Sequence, residues 1–338
     1  MSFGEFDMTV RLGLLGAGRI GKVHAGAIAA NAAARLVAVA DAVPAAAGAL
    51  AAATGAEVRE ADAILGADDI DAVLITTPTD LHATMIEQAA RAKKAIFCEK
   101  PIDLDIARVK DCLAVVKAEN ALLMVGFNRR FDPNFMEVRR QIDAGAIGKV
   151  EMVSITSRDP GPPPADYIRR SGGLFRDMTI HDFDMARFLL GEEPVSVYAS
   201  ASVLVDPEIG KLGDFDSASL VLTTKSGRIA QISNSRRASY GYDQRIEVHG
   251  SKGLVSAENL RATNVEIAND AGYRREPLLN FFMTRYTEAY RNEIAAFIAA
   301  VATGSPATPS GEDGWKALVL ADAALQSVRE KRAVSVSI

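Results

Sequence analysis

The sequence predicts an α/β domain built on a parallel sheet, followed by an α+β domain with a large, mainly antiparallel sheet. Three observations carry this reading. Short β-rich runs alternate with Ala-rich helical stretches over the first 125 residues, the signature of βαβ units with right-handed crossovers. A stretch of strand-like segments bracketed by helices follows, as expected of an antiparallel sheet in an α+β unit. The chain of 338 residues also exceeds what one hydrophobic core organises, since single cores stop growing near roughly 250–300 residues. The boundary is placed between domains 1–125 and 126–338.

The first-domain strands are predicted at 10–15, 36–40, 72–76, 95–98 and 122–125. They are continuous apolar runs, as required when helices cover both sheet faces. The intervening helices are predicted over 21–30, 45–53, 81–90 and 106–119. Beyond Phe127 the pattern changes. Asp132 or Pro133 opens a helix that Gly145 closes, and 150–158 alternates enough to be a strand with one exposed face. The segment Asp159-Pro160-Gly161-Pro162-Pro163-Pro164 must be a loop, because its four prolines can join neither a ladder nor a helix interior. One helix is predicted over 177–190, strands over 195–267, and helices over 285–301 and 314–330.

Composition excludes several function classes. Hydrophobic residues make up 49% and charged residues 24%, which is ordinary for a globular chain. A net charge of −5 without a basic run argues against a polyanion-binding surface, so no nucleic-acid partner is expected. Glu5 and Asp7 near the start speak against a secretory signal. No apolar stretch reaches the length of a membrane helix, so no membrane partner and a cytoplasmic location are expected. Cys98 and Cys112 are too few for a disulfide framework and read as buried thiols. The four histidines, His24, His82, His181 and His249, are scattered, and no metal is expected.

Three constellations carry chemistry. Gly16-Ala17-Gly18-Arg19-Ile20-Gly21 follows the first apolar run and opens a helix. In that context Gly16 permits the tight turn, Gly18 lets the backbone approach a pyrophosphate, and Gly21 allows close helix–strand packing. The first domain thus reads as a dinucleotide-binding Rossmann domain. Asp41 ends the second strand, 25 positions after Gly16. A carboxylate there accepts from both ribose hydroxyls and repels a 2′-phosphate, favouring NAD over NADP; the alternative is an Asp that caps the next helix. Cys98-Glu99-Lys100-Pro101 ends another strand at the edge where open α/β sheets bind ligands. Lysine can there polarise a hydroxyl, though position alone also suits a surface lysine. The Lys100–Pro101 bond is predicted to be cis, the form that costs an X–Pro bond only about 0.5–1 kcal/mol.

The third constellation runs from Gly172 to Asp182. Asp177 and His181, four apart, share a face if helical. The carboxylate can then orient the imidazole, and a neutral imidazole can take a hydroxyl proton as hydride leaves. The competing reading is a helix-surface pair. Asp182 and Asp184 are expected to be solvated charges on other faces.

Taken in order, the Gly-rich turn, Thr77-Pro78-Thr79-Asp80-Leu81-His82, Glu99-Lys100-Pro101 and Asp177…His181 resemble the Gfo/Idh/MocA oxidoreductase family (glucose–fructose oxidoreductase, inositol dehydrogenase, MocA). Gly126–Asp132, Ser157–Pro160, Gly172–Asp184, Tyr240–Asp243 and Met283–Glu293 are most similar to its inositol 2-dehydrogenase branch. The resemblance implies NAD-dependent oxidation of a polyol secondary alcohol, myo-inositol to its 2-ketone in inositol catabolism, by a homotetramer joined through an open C-terminal sheet. By matching motif it implies that Lys100, Asp177 and His181 are catalytic, with Arg129, Asp159 and Tyr242 lining the polyol pocket. It also implies cofactor contacts from Gly16, Gly18, Arg19, Ile20, Gly21, Asp41, Thr76, Thr77, Pro78, His82, Glu99 and Lys100; for His82 a packing role has equal standing. The segment 157–159 departs from some inositol dehydrogenases, which leaves the preferred epimer open. The alternatives are a dehydrogenase of another inositol or sugar, a non-catalytic dinucleotide sensor, and an oxidoreductase with a tightly held, recycled cofactor.

Overall fold

The computed structural model describes residues 9–338; Glu5 and Asp7 lie outside them. The chain forms two compact units. The first comprises residues up to Asn128 together with Glu288–Trp315, and the second comprises Arg129–Thr287 and Lys316–Ile338.

The first unit contains β1 (Val10–Leu15), α1 (Arg19–Ala29), β2 (Ala34–Ala40), α2 (Pro44–Thr54), β3 (Glu57–Val58), α3 (Ala61–Leu65), β4 (Ala72–Ile75), α4 (Thr79–Arg91), β5 (Ala95–Glu99), α5 (Ile106–Ala118) and β6 (Leu123–Gly126). The strands form one sheet in the order β3-β2-β1-β4-β5-β6, parallel throughout. The order reverses between β1 and β4, where dinucleotides bind in this topology. Leu15 pairs with both Ala40 and Ile75, so Gly16, Asp41 and Thr76 emerge together at one sheet edge. Leu12, Leu14, Val73, Leu74, Ile96 and Phe97 are fully buried, each worth about 1.5–3 kcal/mol relative to exposure. The predicted strands and helices are all present, to within two residues at each end. The short β3 and α3 have no counterpart in the prediction, because two and five residues are too few for periodicity to register.

The second unit begins at Arg129, inside a 3₁₀ turn (Asn128–Phe131), and continues through α6 (Pro133–Asp143), β7 (Val150–Arg158), α7 (Ala165–Ser171), α8 (Gly173–Asp177), α9 (Thr179–Leu190), β8 (Pro194–Ser202), α10 (Pro207–Lys211), β9 (Ser217–Thr224), β10 (Ile229–Ser235), β11 (Asp243–Gly250), β12 (Gly253–Ala257), β13 (Glu266–Asn269), β14 (Gly272–Arg275) and α11 (Phe282–Arg285). After α12 (Thr287–Thr303) and α13 (Gly311–Glu330), β15 (Val334–Ser335) completes its sheet. That sheet has the order β12-β11-β7-β10-β9-β8-β15. Only the β7–β10 pair is parallel; the other pairs are antiparallel.

The first unit does not end at the expected boundary for good, because residues 288–315 return to it. The Val125 amide donates to the Pro309 carbonyl at 2.9 Å, Phe297 packs edge-on against Phe97, and Tyr290 does so against His24. The aromatic and aliphatic stripe of α12 therefore covers core surface that the first 128 residues leave open.

Candidate active site

The glycine-rich turn is shaped by steric necessity. Gly16 has φ +108°, and a Cβ there would meet the Thr76 carbonyl carbon at 2.7 Å. A Cβ on Gly21 would come within 2.0 Å of the Gly16 carbonyl oxygen. Gly18, at the N-cap of α1, has open space where its Cβ would be. One glycine thus makes the turn, one lets the helix approach, and one leaves room for a ligand against backbone amides. A pyrophosphate at a helix N-terminus fits this arrangement. Arg19 and Ile20 form the first turn of α1.

Asp41 is held beside that turn. One carboxylate oxygen accepts from the Ala17 amide at 2.6 Å and the other from the Val43 amide at 2.7 Å. Each oxygen retains lone-pair capacity for a ribose hydroxyl. The buried Thr76 hydroxyl donates to the Gly16 carbonyl at 2.7 Å, Thr77 reaches the Met85 sulfur, and Pro78 is the N-cap of α4.

The side chains of two residues of the predicted cofactor set are bonded within the protein. The ring nitrogens of His82 lie 2.8 Å from the Pro101 carbonyl and 2.7 Å from the Thr77 carbonyl, so His82 ties two strand-end loops together. The Glu99 side chain turns inward, with Oε1 2.6 Å from His24 Nε2 and Oε2 accepting from the Lys100 amide at 3.3 Å. The core imidazole draws the carboxylate away from the sheet edge. Lys100 follows the end of β5, and its bond to Pro101 is cis, as is Thr308–Pro309.

In the second unit, Asp177 and His181 sit on successive helices rather than one. Asp177 ends α8, His181 lies in the first turn of α9, and Met178 separates the two. At the break the buried Thr179 hydroxyl contacts the Leu174 carbonyl at 3.3 Å and donates to Asn234 Oδ1 at 2.8 Å, while the Leu174 carbonyl keeps its helical bond from the Met178 amide at 3.0 Å. Gly173, at φ +82° with Asp214 Oδ1 only 2.6 Å from where a Cβ would stand, starts α8 so that Asp177 comes to its end.

Asp177 accepts from the Tyr167 hydroxyl at 2.8 Å and, through its other oxygen, from Arg236 at 3.4 Å. Arg236 also faces Asp159, at 3.8 Å. Asp159 sits at the end of β7, its amide bonded to the Ser235 carbonyl at 2.9 Å. Its carboxyl is pushed up to about 6: burial raises it, Arg236 and Arg129 lower it, and Asp177 and Asp182 raise it. Tyr242 is buried, packs edge-on against Tyr286, and has its hydroxyl pushed well above the ordinary range by burial. It therefore stays a neutral donor.

Asp182 and Asp184 correct the expectation of solvated charges: both are essentially inaccessible. Arg129 pairs with Asp182, and Arg130 pairs with Asp184 at 2.6 Å. Asn234 donates to the second Asp182 oxygen at 2.8 Å. Burial raises the Asp182 carboxyl above its usual range, against the pull of Arg129. Arg129 thus arrives already committed to Asp182, at the wall of the cluster formed by Asp159, Asp177, Arg236 and Tyr242. Tyr167, Asn234 and Arg236 were not singled out by sequence. The only signal for Asn234 and Arg236 is the run Asn234-Ser235-Arg236-Arg237 at the end of β10, which no periodicity or spacing rule marks, and Tyr167 on α7 has none.

Residues 10–127 match the oxidoreductase family with an NAD-binding Rossmann fold, and residues 135–256 match the GFO/IDH/MocA C-terminal domain. The chain is 69% identical over 330 residues to the inositol 2-dehydrogenase of Rhizobium meliloti, covering 98% of this chain and 100% of that protein. The crystal structure of a myo-inositol dehydrogenase from Corynebacterium glutamicum is 43% identical and superposes with a TM-score of 0.94, covering 98% of this chain and 99% of that one. A scyllo-inositol dehydrogenase from Lactobacillus casei, solved with bound NAD(H) and scyllo-inositol, is 30% identical with a TM-score of 0.90, covering 97% and 99%. An NAD-binding first domain, a mixed second sheet and full-length likeness to these dehydrogenases make this chain a member of the GFO/IDH/MocA family of NAD-dependent oxidoreductases acting on CH–OH groups.

Proposed function

We propose that this enzyme oxidises a ring hydroxyl of an inositol, with myo-inositol giving its 2-ketone as the best substrate. The observation that carries the reading is the cluster of Asp159, Asp177, Arg236 and Tyr242 in the second unit, backed by the Arg129–Asp182 pair. It offers carboxylate acceptors and neutral or cationic donors to a ligand whose surface is a ring of hydroxyls. NAD, when bound at the Gly18 turn, supplies the hydride acceptor.

In this reading His181 takes the hydroxyl proton, Asp177 orients the substrate and the imidazole, and Lys100 polarises the reacting hydroxyl. Arg129, Asp159 and Tyr242 hold the remaining hydroxyls. His181→Ala is expected to lower kcat by roughly 10²–10⁴-fold while leaving the KM for NAD unchanged. Lys100→Ala should also slow turnover, and Asp177→Asn should give an intermediate loss. Near-normal turnover in His181→Ala would leave the histidine a structural role only. Steady-state NAD reduction over a panel of inositol epimers and aldoses tests the substrate; faster oxidation of scyllo-inositol or of an aldose would replace myo-inositol.

The setting is proposed to be inositol catabolism in the cytoplasm, by a homotetramer. Among the described residues no helix is long and apolar enough to cross a membrane. The solvent face of the second unit's sheet carries Met152, Tyr198 and Leu254, all exposed, which suits burial between subunits. Light scattering checks the assembly, and a monomeric mass would reject it.

A further inference from the structure

Arg236 is the largest of the fully buried side chains, 1% exposed, and no sequence motif accounts for it. A buried cation is costly unless its partners compensate it. Its partners here are unusual. One terminal nitrogen faces Asp177 at 3.4 Å and the other faces Asp159 at 3.8 Å, while Nε has no partner. A guanidinium serving only to tie two elements would close on one carboxylate with two short, parallel bonds. Here the fork is spread across two carboxylates at 3.4 and 3.8 Å instead of closing on one. The backbone behind the fork is rigid: the Arg236 amide donates to the Asp216 carbonyl at 2.8 Å, and the Asp216 carboxylate itself accepts from the Leu204, Val205 and Asp206 amides. Tyr167 fixes the far oxygen of Asp177.

We propose that Arg236 is a positioning residue that holds Asp159 and Asp177 as a paired acceptor for two hydroxyls of the polyol. The inference rests on the proposed polyol oxidation and deepens it by naming what sets the pair. The charged and titratable groups that act most strongly on Asp159 include Arg236 after β10, Asp177 on α8, Arg129 on the 3₁₀ turn, Asp182 on α9 and Tyr242 before β11. Arg236 is the strongest of the influences that hold the Asp159 proton affinity down. Without it, Asp159 takes up a proton at higher pH and becomes a donor where the substrate needs an acceptor.

The test uses the full-length enzyme with NAD, wild type alongside Arg236→Ala and Arg236→Lys, with kcat and KM measured from pH 5 to 9. In wild type, kcat/KM for the polyol should fall on acidification near the Asp159 value of about 6. Arg236→Ala should raise the polyol KM by roughly 10²-fold, as loss of one partner of a buried charge cluster does, and move this acid limb to higher pH. The KM for NAD should stay within a factor of about two. Arg236→Lys restores a cation without the fork; its acid limb should return toward wild type while its polyol KM stays raised. A folded Arg236→Ala with wild-type polyol KM and acid limb overturns the proposal. Should Arg236→Ala fail to fold, a folded Arg236→Lys with wild-type polyol KM overturns it equally. Failure of wild type to oxidise any polyol would instead reject the underlying activity, and this inference with it.

Discussion

At Asp41 a single carboxylate accepts from the Ala17 and Val43 amides, which fixes the end of the glycine-rich turn, and we propose that its negative charge also stands where a 2′-phosphate would lie. The N-cap of α2 is Val43 and receives no side-chain bond, so Asp41 holds the loop before that helix rather than capping it, and ribose acceptance is the role proposed for it. Asp41→Ala removes the charge and both bonds. It should lower kcat/KM with NAD and raise it with NADP, narrowing the ratio between cofactors by at least about tenfold, since a like-charge clash of about 1.4 kcal/mol is worth that factor. Parallel kinetics with the two cofactors check this; an unchanged ratio would place the discriminating contact elsewhere. Residue roles were legible where spacing constrains backbone geometry, as at Gly16 and Gly21. They were not legible where a side chain chooses between partners distant in sequence. Glu99 turns to His24, 75 positions away, and Asp182 to Arg129, 53 positions away; no local pattern encodes either choice.

At the scale of elements, periodicity located the strands and helices of the first unit because each is long enough to repeat its pattern. The 177–190 segment shows the limit. Its apolar spacing is continuous across Met178, yet the chain passes there from α8, which ends at Asp177, to α9, which starts at Thr179. The β1–α1 junction yields a sharp prediction, because its glycines fail for different reasons. Gly18→Ala places a methyl in open space at a φ of −69°, so the melting temperature should hold while the KM for NAD rises through obstruction of the pyrophosphate. Gly21→Ala drives a methyl to 2.0 Å from the Gly16 carbonyl, so α1 must move away from β1; both the melting temperature and NAD affinity should fall. Thermal melts with and without NAD separate the two cases. Equal loss of stability in both variants would mean that the turn tolerates no side chain at all, and that Gly18 is not reserved for ligand.

At the scale of the whole chain, the return of residues 288–315 to the first unit was invisible to a linear reading, because their amphipathic pattern says that a face is buried but not against what. Glu293 makes the consequence measurable. It lies on α12, fully buried, and neither carboxyl oxygen has a hydrogen-bond partner. Burial, reinforced by the nearby Glu99 charge, raises its carboxyl well above the ordinary range, so the folded protein keeps it neutral. The unfolded chain ionises the same group above roughly pH 4.3. Above that pH the folded state binds the extra proton, and stability falls by about 1.4 kcal/mol per pH unit until the folded-state group also ionises. The contribution is therefore complete in acid and lost as pH rises. Glu293→Gln keeps the shape and removes the proton. Its melting temperature should decline less between pH 5 and pH 8 than that of wild type, with the two curves diverging toward the alkaline side. Parallel declines would mean that Glu293 ionises in the folded protein and that the first unit's core holds a charge rather than a carboxylic acid.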